Sequence, residues 1–199
     1  IIFLTLLNVQ VRAQEQATLT LSPQLFKGNL AGYDLWNKHF KNWKYHPGDD
    51  LTWADPTFDD SDWMVVDTLS LSSTQKTMKG KWKWSGNGWL RLKFKVDEAL
   101  QNRPLALNYM QTGAAEIYLD GKLIHKYGVV GRSTETETID FFIEVRVKIE
   151  EIMLDDRESH LLAVRYSNFG TLELRAGDLW PGFRLWIDED LAQSHEKQV

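Results

Sequence analysis

The dipeptide Asp120-Gly121 stands between two short runs of alternating apolar residues, 115–119 (AEIYL) and 122–124, and it constrains this chain more than any other stretch. A two-residue type I′ reversal needs positive φ at both central positions. Asp-Gly supplies it, with a twist that matches two antiparallel strands. A β-hairpin is therefore expected here. Residues 89–96 (WLRLKFKV) add strict period two: Leu90, Leu92, Phe94 and Val96 share one face, and Arg91, Lys93 and Lys95 the other. That is the pattern of a half-buried strand. Residues 105–110, 139–147, 161–166 and 183–187 read as further strands, and 19–21 as a brief first one. No helical pattern is as strong. Residues 148–154 read as one or two helical turns, and 28–42 as holding one short helix. Residues 43–63, punctuated by Pro47-Gly48 and Asp55-Pro56, read as a loop-rich segment pinned by aromatics. Several short strands without alternating helices predict an all-β jelly-roll sandwich.

At 199 residues and 43% hydrophobic composition, one domain can bury a core without help from a metal or a disulfide. The absence of cysteine excludes thiol catalysis, thiolate zinc sites and iron–sulfur chemistry. A formal net charge of -5 argues against a nucleic-acid partner, which needs clustered Lys and Arg. The basic stretch 76–83 is short and suits a solvated strand edge. Residues 1–13 read as a signal-peptide remnant: an apolar run too short to span a bilayer, then Val11-Arg12-Ala13 as a cleavage site, with Gln14 as the mature start. An N-terminal strand is the other reading of that run. The expectation is an exported, extracytoplasmic protein, periplasmic or at the cell surface. Residues 14–193 are expected to form a single domain, with the polar tail 194–199 expected to lead to a missing downstream region.

Motifs for chemistry are few. Gly86-Asn87-Gly88 lacks the third glycine of a dinucleotide fingerprint and precedes a strand, not a helix. His39, His46, His125, His160 and His195 share no ligand spacing. The acidic group Asp59, Asp60 and Asp62, with Asp55 upstream, is a candidate for calcium, which takes oxygen ligands at short spacing. It lacks the glycine and terminal glutamate of an EF-hand, and turn-capping explains such residues more simply. Nothing singles out two carboxylates as a glycosidase pair. Tryptophan is the informative excess, at nine residues. Exposed Trp stacks on sugar faces while neighbouring Arg, Asp and Asn bond hydroxyls. Trp82 and Trp84, at i and i+2 in a Lys-rich segment, are the candidate ligand-binding residues, together with Trp180 before Pro181-Gly182 and Arg91 on the polar face of its strand. Most of the nine are expected to be core or loop-pinning residues, and the other reading of these three is contact with a partner domain.

Residues 56–63 (PTFDDSDW), 88–94 (GWLRLKF), 114–131 (AAEIYLDGKLIHKYGVVG) and 161–168 (LLAVRYSN) occur in an order that resembles the galactose-binding-like jelly roll at the N-terminus of family 2 glycoside hydrolases. The resemblance covers 43–187. It implies fold-keeping roles for Leu119-Asp120-Gly121, for 161–164, and for Phe58 and Trp63 as anchors. It carries over no catalytic residue, because in those enzymes the catalytic acids belong to a later barrel. The segment WKYHPGDD and the leader also resemble extracytoplasmic input domains of bacterial membrane sensor proteins. The expected function is a non-catalytic ligand-binding sensor domain that reads a carbohydrate or small polar molecule. Its membrane contact would lie only in the downstream segment. Two alternatives stand beside it: an accessory sugar-binding module of a glycoside hydrolase or esterase, and a protein–protein or homodimerisation module.

Overall fold

The computed structural model describes residues 18–26, 42–66, 85–111, 113–139, 148–169 and 183–188. Residues 1–13, expected to be a signal-peptide remnant, the tail 194–199, the segment 28–41, nearly all of 139–147, and Trp82, Trp84 and Trp180 lie outside them. Ten strands fall in chain order: β1 Leu19–Leu21, β2 Trp43–Pro47, β3 Met64–Val66, β4 Asn87–Val96, β5 Pro104–Gln111, β6 Ala114–Leu119, β7 Lys122–Tyr127, β8 Lys148–Met153, β9 His160–Ser167 and β10 Phe183–Asp188. One helical turn (Pro23–Phe26) and two 3-10 turns (Leu51–Ala54 and Glu98–Leu100) are the helical structure present among the described residues. None is long and apolar enough to cross a membrane.

The strands form a seven-stranded sheet, ordered β3-β2-β4-β9-β6-β7 with β1 beside β4, and a three-stranded sheet ordered β10-β5-β8. The fold is an all-β sandwich. β4 is its spine. One edge of β4 pairs antiparallel with β9 along Asn87–Phe94; the other is shared between β2 at Gly88–Arg91 and β1, parallel, at Phe94–Val96. The core between the sheets follows from the alternation in each strand. Leu90, Leu92 and Phe94 of β4, Ala115 and Ile117 of β6, and Leu162, Val164 and Tyr166 of β9 meet Leu105, Leu107 and Tyr109 of β5 and Leu185 and Ile187 of β10. Burying one large apolar side chain of this kind contributes about 1.5–3 kcal/mol.

The Asp-Gly reversal forms as its sequence predicts, with φ of 50° at Asp120 and 83° at Gly121. Two expectations are corrected. Trp43–Pro47 is strand, not loop: Trp43 and Tyr45 turn into the core while Lys44 and His46 face outward. Gly88 lets the two strands close up here, since a Cβ on it would lie 2.6 Å from the Tyr45 ring. Residues 148–153 are likewise strand, not helical turns. Ile149, Ile152 and Met153 imitate helical spacing because Glu150 holds an inward position, opposite Leu107. There its Oε1 lies 3.4 Å from both Tyr109 Oη and His125 Nδ1.

Candidate functional site

The outer face of the large sheet carries polar residues in register. One row crosses five strands: His46, Trp89, Arg165, Glu116 and Lys126. The next holds Lys44, Arg91, Ala163 and Tyr118. Period two alone would leave this face in water. Instead residues 48–63 fold over it. Trp53, Phe58 and Trp63 form an aromatic layer above Trp89, with Trp53 and Trp63 edge to face at 5.2 Å, and Trp89 stacks on Tyr118 at 5.5 Å.

Two charge clusters fasten this cover. Arg91, 1% exposed, donates from Nε to Asp60 Oδ2 at 2.8 Å and from Nη1 to the carbonyls of Trp53 and Asp55, with Phe58 and Trp63 rings over the guanidinium. Lys44 Nζ donates to Asp60 Oδ1 at 2.8 Å. Burial pushes the Asp60 carboxyl up, but the bonds and charges of Lys44 and Arg91 outweigh it and the pKa lies below the ordinary value. In the second cluster Arg165 holds Asp49 at 2.6 and 2.7 Å and Glu116 at 2.9 Å. Arg132 also reaches Asp49, and Lys126 reaches Glu116. The bond from Arg165 is the main cause lowering Asp49; Glu116 is raised by burial and lowered further by Arg165, Lys126 and Tyr118, for a net downward shift. The same surroundings push the Tyr118 phenol up to about 12, burial first and then Glu116.

Arg91 is thus withdrawn from the expected ligand-binding set, since its donors are turned into the protein. Most of the acidic residues considered for calcium also have partners within the protein. Asp60 is spent on two cations, Asp59 Oδ1 accepts from the Ser61 amide at 3.0 Å, and Asp62 is exposed. Asp55 likewise caps Thr57. Among the described residues no group of three or more His, Cys, Asp or Glu side chains converges on a metal site.

A third cluster was not singled out by sequence, and it borders open space. The β6–β7 hairpin faces β8 across the mouth of the sandwich. Between them lies a cleft of about 380 Å³ lined by Leu119, Asp120, Lys122, Ile124, Glu151, Ile152, Met153 and Arg157. Asp120 is held rigidly: His160 Nδ1 donates to Oδ2 at 2.8 Å and the Leu161 amide to Oδ1 at 2.8 Å. His160 is buried and stacks on Phe94 at 5.6 Å. Arg157 Nη1 lies 3.2 Å from Asp120 Oδ2, and Asp155 orients the same guanidinium through Nε and Nη2. These residues come from three separate elements, so no spacing in the sequence announces them. The sequence marks Asp120 and Leu119 through the turn and leaves His160 without ligand spacing.

No family model and no curated protein matches the chain. Solved structures similar to it include a beta-glucuronidase from Bacteroides uniformis, at 21% identity and TM-score 0.44, over 64% of this chain and 14% of that one. A calcium-binding mutant of Bacteroides uniformis beta-glucuronidase 2 gives 19% identity and TM-score 0.49, over 74% and 17%. A glycosyl hydrolase family 2 member from Bacteroides cellulosilyticus gives 17% and 0.45, over 74% and 20%. The chain spans less than a quarter of the length of each of these.

Proposed function

We propose that this sandwich is a non-catalytic accessory module of a larger glycoside-hydrolase-like protein, holding a saccharide without cleaving it. One observation carries the reading: among the described residues, the three carboxylates under the aromatic cover and beside it, Asp49, Asp60 and Glu116, are paired with basic side chains that favour their ionised form. Asp49, Asp60 and Glu116 all have lowered pKa values, each with Arg or Lys within 3.1 Å. Glycoside hydrolysis needs one carboxyl raised so that it can donate a proton to the leaving oxygen. A carboxylate locked to guanidinium cannot do that at neutral pH. The ordered sequence motifs support the same reading, because their members serve packing: Trp63 in the outer aromatic layer, Asp60 as partner of Arg91, and Asp120-Gly121 as the turn.

The sensor-domain reading shares this non-catalytic requirement, but no described residue favours it over the accessory module. Export and dimerisation also stand as proposals. The test is turnover by the 199-residue chain of 4-nitrophenyl β-D-glucuronide, β-D-galactoside and β-D-glucoside. None is expected above the buffer rate. Turnover proportional to protein concentration and abolished in Glu116→Gln would overturn the proposal.

A further inference from the structure

We infer that the cleft between the β6–β7 hairpin and β8 binds a neutral saccharide ring. This rests on the accessory-module reading and assigns that module its site. The cleft opens where the edge strand of one sheet faces the edge strand of the other. Its volume, about 380 Å³, lies within the range of small-ligand pockets. Leu119, Ile124 and Ile152 contribute apolar surface to a wall that is otherwise polar, the mixture a sugar ring presents. Met153 stands at its rim, 60% exposed. A flexible thioether left in water costs burial that a ligand restores, and it adapts to the C–H face of a pyranose.

The rim supplies hydroxyl partners of both kinds. Asp120 and Arg157 are pre-set by His160, Leu161 and Asp155, so they meet a ligand without further ordering. Lys122, from the large sheet, and Glu151, from the small one, stand on opposite walls, and no other described residue engages them. An ammonium donates only and a carboxylate accepts only, whereas a sugar hydroxyl does both and can bridge from either wall. With Asp155, which holds Arg157, three carboxylates (Asp120, Glu151 and Asp155) stand against the two cations Lys122 and Arg157. That balance disfavours an anionic ligand and leaves an uncharged polyol unopposed.

The experiment uses the whole chain with ¹³C-methyl methionine, titrated with methyl β-D-galactopyranoside, methyl β-D-glucopyranoside and sodium D-glucuronate at constant ionic strength. A neutral glycoside is expected to move the Met153 methyl resonance saturably and to leave Met64, on β3, unmoved. Glucuronate is expected to bind about tenfold or more weakly, and Lys122→Ala and Glu151→Gln to weaken the neutral glycoside about tenfold each, with the unliganded spectrum intact. Saturable binding that leaves Met153 unmoved and ignores both substitutions overturns the cleft assignment while the accessory module stands. Tighter binding of glucuronate at Met153 overturns the neutral class alone. No binding of any of the three at tens of millimolar overturns both the cleft and the saccharide reading.

Discussion

Arg91 and Asp60 are 31 residues apart in sequence, and their side chains meet at 2.8 Å beneath an aromatic cover. A buried pair of this kind costs desolvation to form, so its net worth is modest. Breaking it is different, because one charge is left buried without its partner. Arg91→Met should lower unfolding free energy by about 3–5 kcal/mol in urea titration, whereas Lys95→Ala, at an exposed pair with Glu158, should change it by less than about 1 kcal/mol. Equal effects for the two would show that the cover does not depend on Arg91.

The Arg165 cluster predicts an acid-sensitive fold. Asp49 and Glu116 have folded pKa values below their ordinary 3.8 and 4.5, so the unfolded chain binds protons more readily than the native one. Their contribution is fully present above the unfolded values and is lost as pH falls through the folded ones. Unfolding free energy should therefore decline below about pH 4.5. Arg165→Gln should flatten that decline while also lowering stability at pH 7. An unchanged slope in the variant would contradict this account.

Gly121 has φ of 83°, and a Cβ there would approach Pro56 Cδ at 3.3 Å. Gly121→Ala should cost about 1–2 kcal/mol, from the left-handed backbone penalty of an L-residue with added crowding. Differential scanning calorimetry would read this as a fall in Tm. A rise would mean that the reversal relaxes to another turn type.

What was legible in the sequence was what is local. Asp120-Gly121 encodes its turn in two residues, and 90–96 carries its inward face in its own alternation. Arg91 shows the limit: period two places it on the outer side of β4, and only the segment 48–63, far upstream in sequence, turns that side into interior. Lys44 and His46 were lost in a stretch rich in turn residues, though Trp43 and Tyr45 alternate with them as a strand should. Glu150 disguised β8 because an acidic residue holds an inward position that the pattern assigns to an apolar one. Of the cleft, Lys122, Glu151 and Arg157 sit on separate elements, and only the tertiary fold brings them within reach of Asp120.

The covering of residues 48–63 has a consequence for how the sandwich opens. β4 and β9 are hydrogen-bonded on both edges and shielded on both faces over much of their length, so their amides can reach solvent only when the whole domain unfolds. β7, an edge strand with half of its side chains exposed and none buried, can detach alone. In deuterium the slowest-exchanging protons should map to Leu90, Leu92 and Val164, and the fastest sheet protons to the strand that forms one wall of the cleft. The edge of the sandwich can then loosen while its spine stays shut.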